Sequence, residues 1–255
     1  MEKFVHIHTK TDQIAATIHH KNEDDKHKHV ILICHGFIGN KIGVDRLFVK
    51  AARFFESYHY TVVRFDYLGC GESEGTYVQN GLNDLLEQTI AVYRYIEQTL
   101  EPLSIHMIGH SLGGAVTSLL APILKPDSIT LWAPVAYPLL NIVSIVGDEK
   151  YKESLKKGTT DYLGFSLPRS FFRSLSEYHP LEKIKDYSHQ CLLIHGSNDE
   201  DIPLTHGLEY GKQQVETIIL EQANHTFSNG FHQQQLYTFT LDWLLSKRPS
   251  ASFNK

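Results

Sequence analysis

The stretch that decides the fold runs from Ile105 to Ala121 and reads IHMIGHSLGGAVTSLLA. Its apolar run Ile105–Ile108 predicts a buried strand, and Gly114–Ala121 predicts a helix packed close to a sheet. Between them lies a G-x-S-x-G pattern, in which Ser111 occupies a sharp strand-to-helix turn. The glycines two residues before and two after this serine leave room where a side chain would collide with a neighbouring strand or helix. The pattern therefore predicts an exposed, strained serine that can act as a nucleophile.

Strands and helices alternate along most of the chain. Short continuous apolar runs are typical of strands covered on both faces. They are Val30–Cys34, Thr61–Phe65, Ile105–Ile108, Ile129–Ala133, Cys191–His195 and Ile218–Leu220. Amphipathic segments with helical spacing lie at Arg46–Phe55 and Leu82–Leu100. Residues 4–8 and 14–19 alternate in polarity and predict an antiparallel hairpin at a sheet edge. Together these segments predict an α/β fold with a doubly wound, mostly parallel sheet of about eight strands.

The alternation is interrupted between Tyr137 and Pro180. This stretch is rich in aromatic residues and too long for a plain connection. We expect residues 137–180 to form an inserted cap over the edge where the strands end, with an ordinary pair of surface helices as the alternative. Residues 1–136 and 181–247 are then a single core domain, and residues 248–255 a flexible tail.

Composition and charge exclude several classes of partner. A formal net charge of −5 offers no basic surface to nucleic acid. The apolar runs fall far short of the roughly 20 residues that cross a membrane. The start of the chain has no charged segment followed by an apolar one, as a signal peptide has. With three widely spaced cysteines, the sequence predicts a cytoplasmic protein without disulfides, and leaves a homodimer open.

Two motifs are interpreted as structural. The chain has sixteen histidines, but the cluster at Asp24–His29 matches no zinc-binding spacing and predicts a charged hairpin loop. The glycine-rich segment Asp66–Ser73 lacks the spacing of a dinucleotide-binding motif and predicts a loop at the edge of the site. We expect neither a metal nor a cofactor.

A nucleophilic serine needs a histidine base and a carboxylate that orients it. Asp199 lies in the turn after the strand that contains Leu192–Ile194, and His225 follows Ile218–Leu220. Asp201 is a rival acid. We favour Asp199, because Asp201 lies closer to Pro203 and should face solvent as the chain turns.

Acyl transfer also needs N–H donors for the oxyanion of the tetrahedral intermediate. One candidate is the N–H of Leu112, at the positive end of the helix that begins there. The other is the N–H of Phe37, with Gly36 allowing the loop to approach the site. The candidate substrate-binding residues are His35, Tyr137, Asn141, Tyr162 and Phe165.

These motifs resemble those of the α/β-hydrolase superfamily over nearly the whole chain, and more narrowly those of small bacterial feruloyl/cinnamoyl esterases. The similar segments are CHGF at 34–37, FDYLGCGES at 65–73, GHSLGG at 109–114, LWAP at 131–134, HGSND at 195–199 and ANHTFS at 223–228. The order Ser111, Asp199, His225 is that of the superfamily's catalytic triad. The resemblance implies a serine carboxylesterase that needs no cofactor.

Its expected partner is a small-molecule ester with a small or medium acyl or aryl group, hydroxycinnamoyl esters among them. A peptidase or thioesterase with the same triad is the first alternative. The second is a ligand-binding protein of the same fold without turnover.

Overall fold

The computed structural model describes residues 1–10, 12–21 and 29–247. Most of the charged histidine-containing loop, residues 24–28, and the predicted tail at 248–255 lie outside these ranges, as does Thr11.

Ten strands are present in the described part of the chain, and eight of them form one sheet in the order β1-β2-β4-β3-β5-β6-β9-β10. The strands are β1 Glu2–His8, β2 Gln13–His19, β3 His29–Cys34, β4 Thr61–Phe65, β5 Ser104–His110, β6 Ser128–Trp132, β7 Thr159–Tyr162, β8 Phe165–Pro168, β9 Cys191–Gly196 and β10 Glu216–Leu220. The β1–β2 hairpin is antiparallel and forms one edge, and every pair from β4 to β10 in the sheet is parallel. The predicted α/β fold with a mostly parallel sheet is confirmed.

Helices connect the strands. They are α1 Leu47–Ser57, α2 Leu82–Leu100, α3 Leu112–Leu124, α4 Pro138–Val146, α5 Asp148–Lys157, α6 Arg169–Leu175, α7 Pro180–Ile184, α8 Thr205–Gly211 and α9 Gly230–Ser246. The bounds of α2 are those that its apolar stripe predicts.

Both faces of the sheet are covered, as strand β3 shows. Val30 and Leu32 pack into the cluster that includes side chains of α2 and α3, while Ile31 and Ile33 pack into the cluster formed with α1 and α9. Successive side chains of a strand point to opposite faces, so a strand buried on both sides is mostly apolar along its whole length. Each such side chain contributes about 1.5–3 kcal/mol of burial free energy.

Between β6 and α7 the chain forms α4, α5, the β7–β8 hairpin and α6. A hydrogen bond joins α6 of this segment to the start of α2 in the core: the Leu82 N–H donates to Ser174 Oγ at 2.8 Å. The Phe171 ring of α6 stacks on Phe37 with ring centroids 5.9 Å apart. The segment predicted as a cap therefore contacts the loop that follows β3.

Candidate active site

Ser111 forms the turn between β5 and α3. Its φ of 59° and ψ of −124° are unusual for a residue with a side chain, and such a backbone costs about 1–3 kcal/mol. The Ser111 N–H donates to the carbonyl of Trp132 at 3.0 Å, which ties the turn to the end of β6. On the other side, Gly113 lies so close to the carbonyls of Cys34 and His35 that a Cβ there would overlap them. Packing between β3 and β6 thus imposes the strained turn that the G-x-S-x-G pattern predicts.

Asp199 and His225 are hydrogen-bonded to one another. The distance from His225 Nδ1 to Asp199 Oδ2 is 2.8 Å, and Asp199 Oδ1 accepts the N–H groups of Asp201 and Ile202 at 3.0 and 2.7 Å. Burial by itself would raise the pKa of Asp199, but hydrogen bonds from His195, His225 and Ile202 outweigh it and hold the pKa well below its usual value. An ionised Asp199 makes His225 Nδ1 the donor, so His225 Nε2 carries the lone pair that a base needs.

The carboxylate that pairs with His225 is that of Asp199, and Asp201 is exposed. Ser111 and His225 line the same cavity. Within the described ranges no hydrogen bond joins Ser111 Oγ to the His225 ring. Catalytic hydrogen bonds are often long in unliganded enzymes and shorten when substrate binds.

Two backbone N–H groups flank Ser111. The Leu112 N–H lies at the first turn of α3, and the Phe37 N–H lies in the loop after β3. In the part of the chain that the structure describes, neither of them donates to a protein acceptor. Gly36 makes the loop's approach possible, because a Cβ at this position would lie 2.8 Å from Ser111 Cβ. Both N–H groups are available to an oxyanion.

The His35 ring is hydrogen-bonded to the protein backbone through both of its nitrogens. Its Nε2 accepts the Tyr67 N–H at 3.1 Å, so its Nδ1 carries the proton and donates to the Gly36 carbonyl at 2.8 Å. Burial lowers the pKa of His35 to about 4, which keeps the ring neutral. Although His35 lines the cavity, both of its nitrogens already have partners, so neither is left to bind a substrate.

Of the other four predicted substrate-binding residues, Tyr162 lines the cavity, stacked on Phe37 with ring centroids 6.0 Å apart. The structure does not bring Tyr137, Asn141 and Phe165 to it. Asn141 is buried, with its side-chain amide donating to the Asp201 carbonyl at 3.0 Å. Phe165 packs edge-on against another ring of the core, and Tyr137 is half-exposed just before α4. The aromatic content of residues 137–180 predicted that this segment contributes to the site. Which of its side chains face the cavity depends on how its helices pack.

The cavity beside Ser111 has a volume of about 350 Å³ and mostly apolar walls. Several of its lining residues escaped the sequence analysis, namely Ile38, Val44, Leu47, Phe48 and Ile145. Leu47 and Phe48 begin α1, and their apolar character was explained by the helix stripe alone. A larger cavity of about 480 Å³ lies between the β1–β2 turn and α2, and contains none of the predicted chemical groups.

His110 is a further residue of this site that the sequence motifs do not identify as functional. Its Nε2 lies 3.0 Å from the His225 carbonyl, and the two rings are 4.7 Å apart. Burial, followed by the neighbouring His225, lowers the pKa of His110 to about 3. A neutral His110 therefore donates to the His225 backbone and supports the loop that carries this histidine.

No group of three or more potential metal ligands occurs within residues 1–10, 12–21 and 29–247. In the same ranges no helix is both long enough and apolar enough to cross a membrane.

Comparison with known proteins identifies the same fold. A family profile described as the alpha/beta hydrolase fold matches residues 29–134. Lysophosphatidylserine lipase ABHD12 of Danio rerio is 34% identical over 110 residues, which are 41% of this chain and 28% of that protein. The mitochondrial palmitoyl-protein thioesterase ABHD10 of Mus musculus is 24% identical over 214 residues, 76% of this chain and 68% of that one.

Among solved structures, Est1E of Butyrivibrio proteoclasticus with bound ferulic acid has a TM-score of 0.80 at 19% identity, covering 94% of this chain and 99% of that one. This chain has the α/β-hydrolase fold, and the proteins that it resembles include esterases and thioesterases.

Proposed function

We propose that this protein is a serine hydrolase that cleaves carboxylic esters through an acyl-enzyme intermediate. The observation that carries the proposal is the 2.8 Å hydrogen bond between Asp199 and His225, next to a strained Ser111 that opens into the same cavity. A buried, ionised carboxylate paired with a histidine is the arrangement that activates a serine hydroxyl.

In the proposed reaction, Ser111 Oγ attacks the ester carbonyl while His225 Nε2 takes its proton. Asp199 stabilises the positive charge that forms on His225, and the N–H groups of Phe37 and Leu112 bind the oxyanion. The His225 ring then returns the proton to the leaving alcohol, which breaks the C–O bond and leaves the acyl group on Ser111. Water, deprotonated by His225, hydrolyses this ester by the same route.

The walls of the cavity support an uncharged acyl or aryl substrate of small or medium size. The space beside the serine is surrounded mainly by apolar side chains, those of Phe37, Leu47, Phe48, Ile145 and Tyr162. No lysine or arginine is among its lining residues, and the one carboxylate among them belongs to the exposed Asp201. Two of these residues come from the stretch 137–180, which we propose acts as a cap that restricts substrate size.

A thioesterase is the second candidate, because palmitoyl-protein thioesterases align with three quarters of the chain. The same triad attacks a thioester as readily as an ester, and the apolar cavity suits either acyl group. A ligand-binding protein without turnover is less well supported, since it would have no use for an ionised Asp199 or for two unpaired N–H donors beside Ser111.

The test compares the wild-type protein with Ser111→Ala on p-nitrophenyl acetate, butyrate and hexanoate, on acyl-CoA thioesters and on aminoacyl anilides. A fluorophosphonate probe should label the wild type and not Ser111→Ala. Ser118→Ala is the matched control, because Ser118 is a buried serine of α3, the helix that follows Ser111, and its hydroxyl donates to the Gly114 carbonyl. Native-rate ester cleavage by Ser111→Ala would exclude the mechanism, and preferred cleavage of thioesters would select the second candidate.

A further inference from the structure

The glycine-rich segment Asp66–Ser73, which we interpreted as a structural loop, encloses a buried ion pair. Lys41 Nζ lies 2.5 Å from Asp66 Oδ2, and the Lys41 N–H donates to Asp66 Oδ1 at 2.5 Å. The Glu72 N–H donates to the same carboxylate at 2.9 Å. Gly71 lies so close to this carboxylate that a Cβ there would overlap it.

Both members of the pair are withdrawn from water, with 5% of the Lys41 side chain and none of the Asp66 side chain exposed. Desolvating two charges is costly, and a buried ion pair often adds little to stability compared with apolar side chains of the same volume. Neither residue lines the cavity beside Ser111, so neither touches the substrate. The ion pair is accounted for if it fixes the position of a neighbouring segment of the chain.

The neighbouring segment is the loop that carries the Phe37 N–H. At its start, the His35 ring accepts the Tyr67 N–H. At its end, Lys41 is held through its side chain and N–H by Asp66, and through its carbonyl by Arg64 Nη1 at 2.6 Å. Residues 64–67 at the end of β4 thus fix the loop at both of its ends. Between these ends the Phe37 ring stacks on Phe171, and the Ile38 N–H donates to Tyr77 Oη at 3.3 Å.

We propose that Asp66 and Lys41 are positioning residues, whose ion pair fixes the Phe37 N–H at the oxyanion site. This inference rests on the proposed hydrolase function. An oxyanion donor acts on the transition state far more than on the bound substrate. Loosening one end of the loop should thus lower kcat and leave KM nearly unchanged. Because complete removal of one donor costs about 10²–10³ in kcat, we expect a loss of about 10- to 100-fold for a displaced one.

The experiment measures Asp66→Asn and Lys41→Met by p-nitrophenyl butyrate hydrolysis and by hydrogen–deuterium exchange. Both variants should show the expected fall in kcat, a KM within about twofold of wild type, and faster amide exchange at residues 36–41. In Asp66→Asn the Glu72 amide, which loses its carboxylate acceptor, should also exchange faster. Lys41→Arg, which keeps the charge, should recover most of kcat. The control is Arg94→Met, which removes an exposed salt bridge to Glu97 within α2 and should change neither measurement.

Lys41→Met leaves the buried Asp66 carboxylate without its ammonium partner and can prevent folding, whereas in Asp66→Asn the Lys41 ammonium keeps its second partner, Glu72 Oε2 at 2.5 Å. The double variant Asp66→Asn/Lys41→Met removes both charges, so it should fold and show the same fall in kcat. Unchanged kcat in folded variants of an active enzyme would overturn the inference and leave the proposed function intact. A wild type without hydrolase activity would refute the proposed function instead. In that case exchange alone decides: an unchanged rate at residues 36–41 overturns the positioning role, and a faster one supports it.

Discussion

Replacing Gly36 with alanine tests whether the loop after β3 must lie against the nucleophile. The new Cβ would lie 2.8 Å from Ser111 Cβ and 3.2 Å from Ser111 Oγ. Non-bonded carbon atoms prefer separations of about 3.5–4.0 Å, so the loop or the serine must move by about 1 Å. The loop carries the Phe37 N–H that would bind the oxyanion, and the serine carries the attacking Oγ.

A displacement of this size between reacting groups can cost about 100-fold in rate. We therefore expect the kcat/KM of Gly36→Ala for p-nitrophenyl butyrate to fall by about two orders of magnitude. At about 1.4 kcal/mol for each factor of ten, this loss corresponds to about 2.8 kcal/mol of transition-state stabilisation. Fluorophosphonate labelling of Ser111 should slow in parallel, because the same attack geometry is needed.

Gly230→Ala is the matched control. Gly230 begins α9, and a Cβ there would have no atom within 4 Å, so its kcat/KM and melting temperature should equal those of the wild type. If Gly36→Ala folds with a wild-type melting temperature and keeps kcat/KM within about twofold, the loop does not need its close approach to Ser111.

Three further predictions concern Asp199, the buried His19 and the cavity-wall residue Ile145. Asp199→Asn should lower kcat by about 10⁴-fold, because a neutral amide cannot hold His225 in the reactive tautomer or stabilise its charge; a loss below tenfold would contradict this role. Burial, together with the charge of Arg64, lowers the pKa of His19 to about 4, so this histidine gains its proton on unfolding. Its contribution to stability is complete above about pH 6.5 and is lost as the pH falls towards 4. In this interval the free energy of unfolding in urea should change less steeply with pH for His19→Gln than for the wild type, by about 1.4 kcal/mol per pH unit. An unchanged slope would mean that His19 is not held neutral. Ile145→Trp should reduce hydrolysis of p-nitrophenyl hexanoate far more than that of the acetate, whereas an equal change for both esters would show that Ile145 does not limit acyl size.

The fold was predictable because its signals are local. Each central strand is a short apolar run, and α2 carries a continuous apolar stripe, so the order of strands and helices follows from residues close together in sequence. The placement of Ser111 between β5 and α3 was predictable for the same reason. In a parallel sheet the ends of the strands meet at one edge, which made Asp199 and His225 reasonable partners for the serine before any distance was known.

The wall of the cavity was not predictable in this way. Tyr162 faces the cavity and Phe165, three residues later, does not, although both are aromatic residues of one hairpin. The difference depends on how the hairpin packs against the core, and periodicity within a four-residue strand does not encode it.

The sequence by itself determined the chemistry that this protein can offer: a serine in a strained turn, with an acid and a histidine after later strands. The tertiary structure decided how these groups are supported. Only folding brings Lys41 to Asp66 and the His110 ring to His225. The physical reason is distance along the chain. Strand and turn signals come from residues within a few positions of each other, whereas a buried ion pair or a cavity wall joins side chains that only the packed sheet and helices bring together.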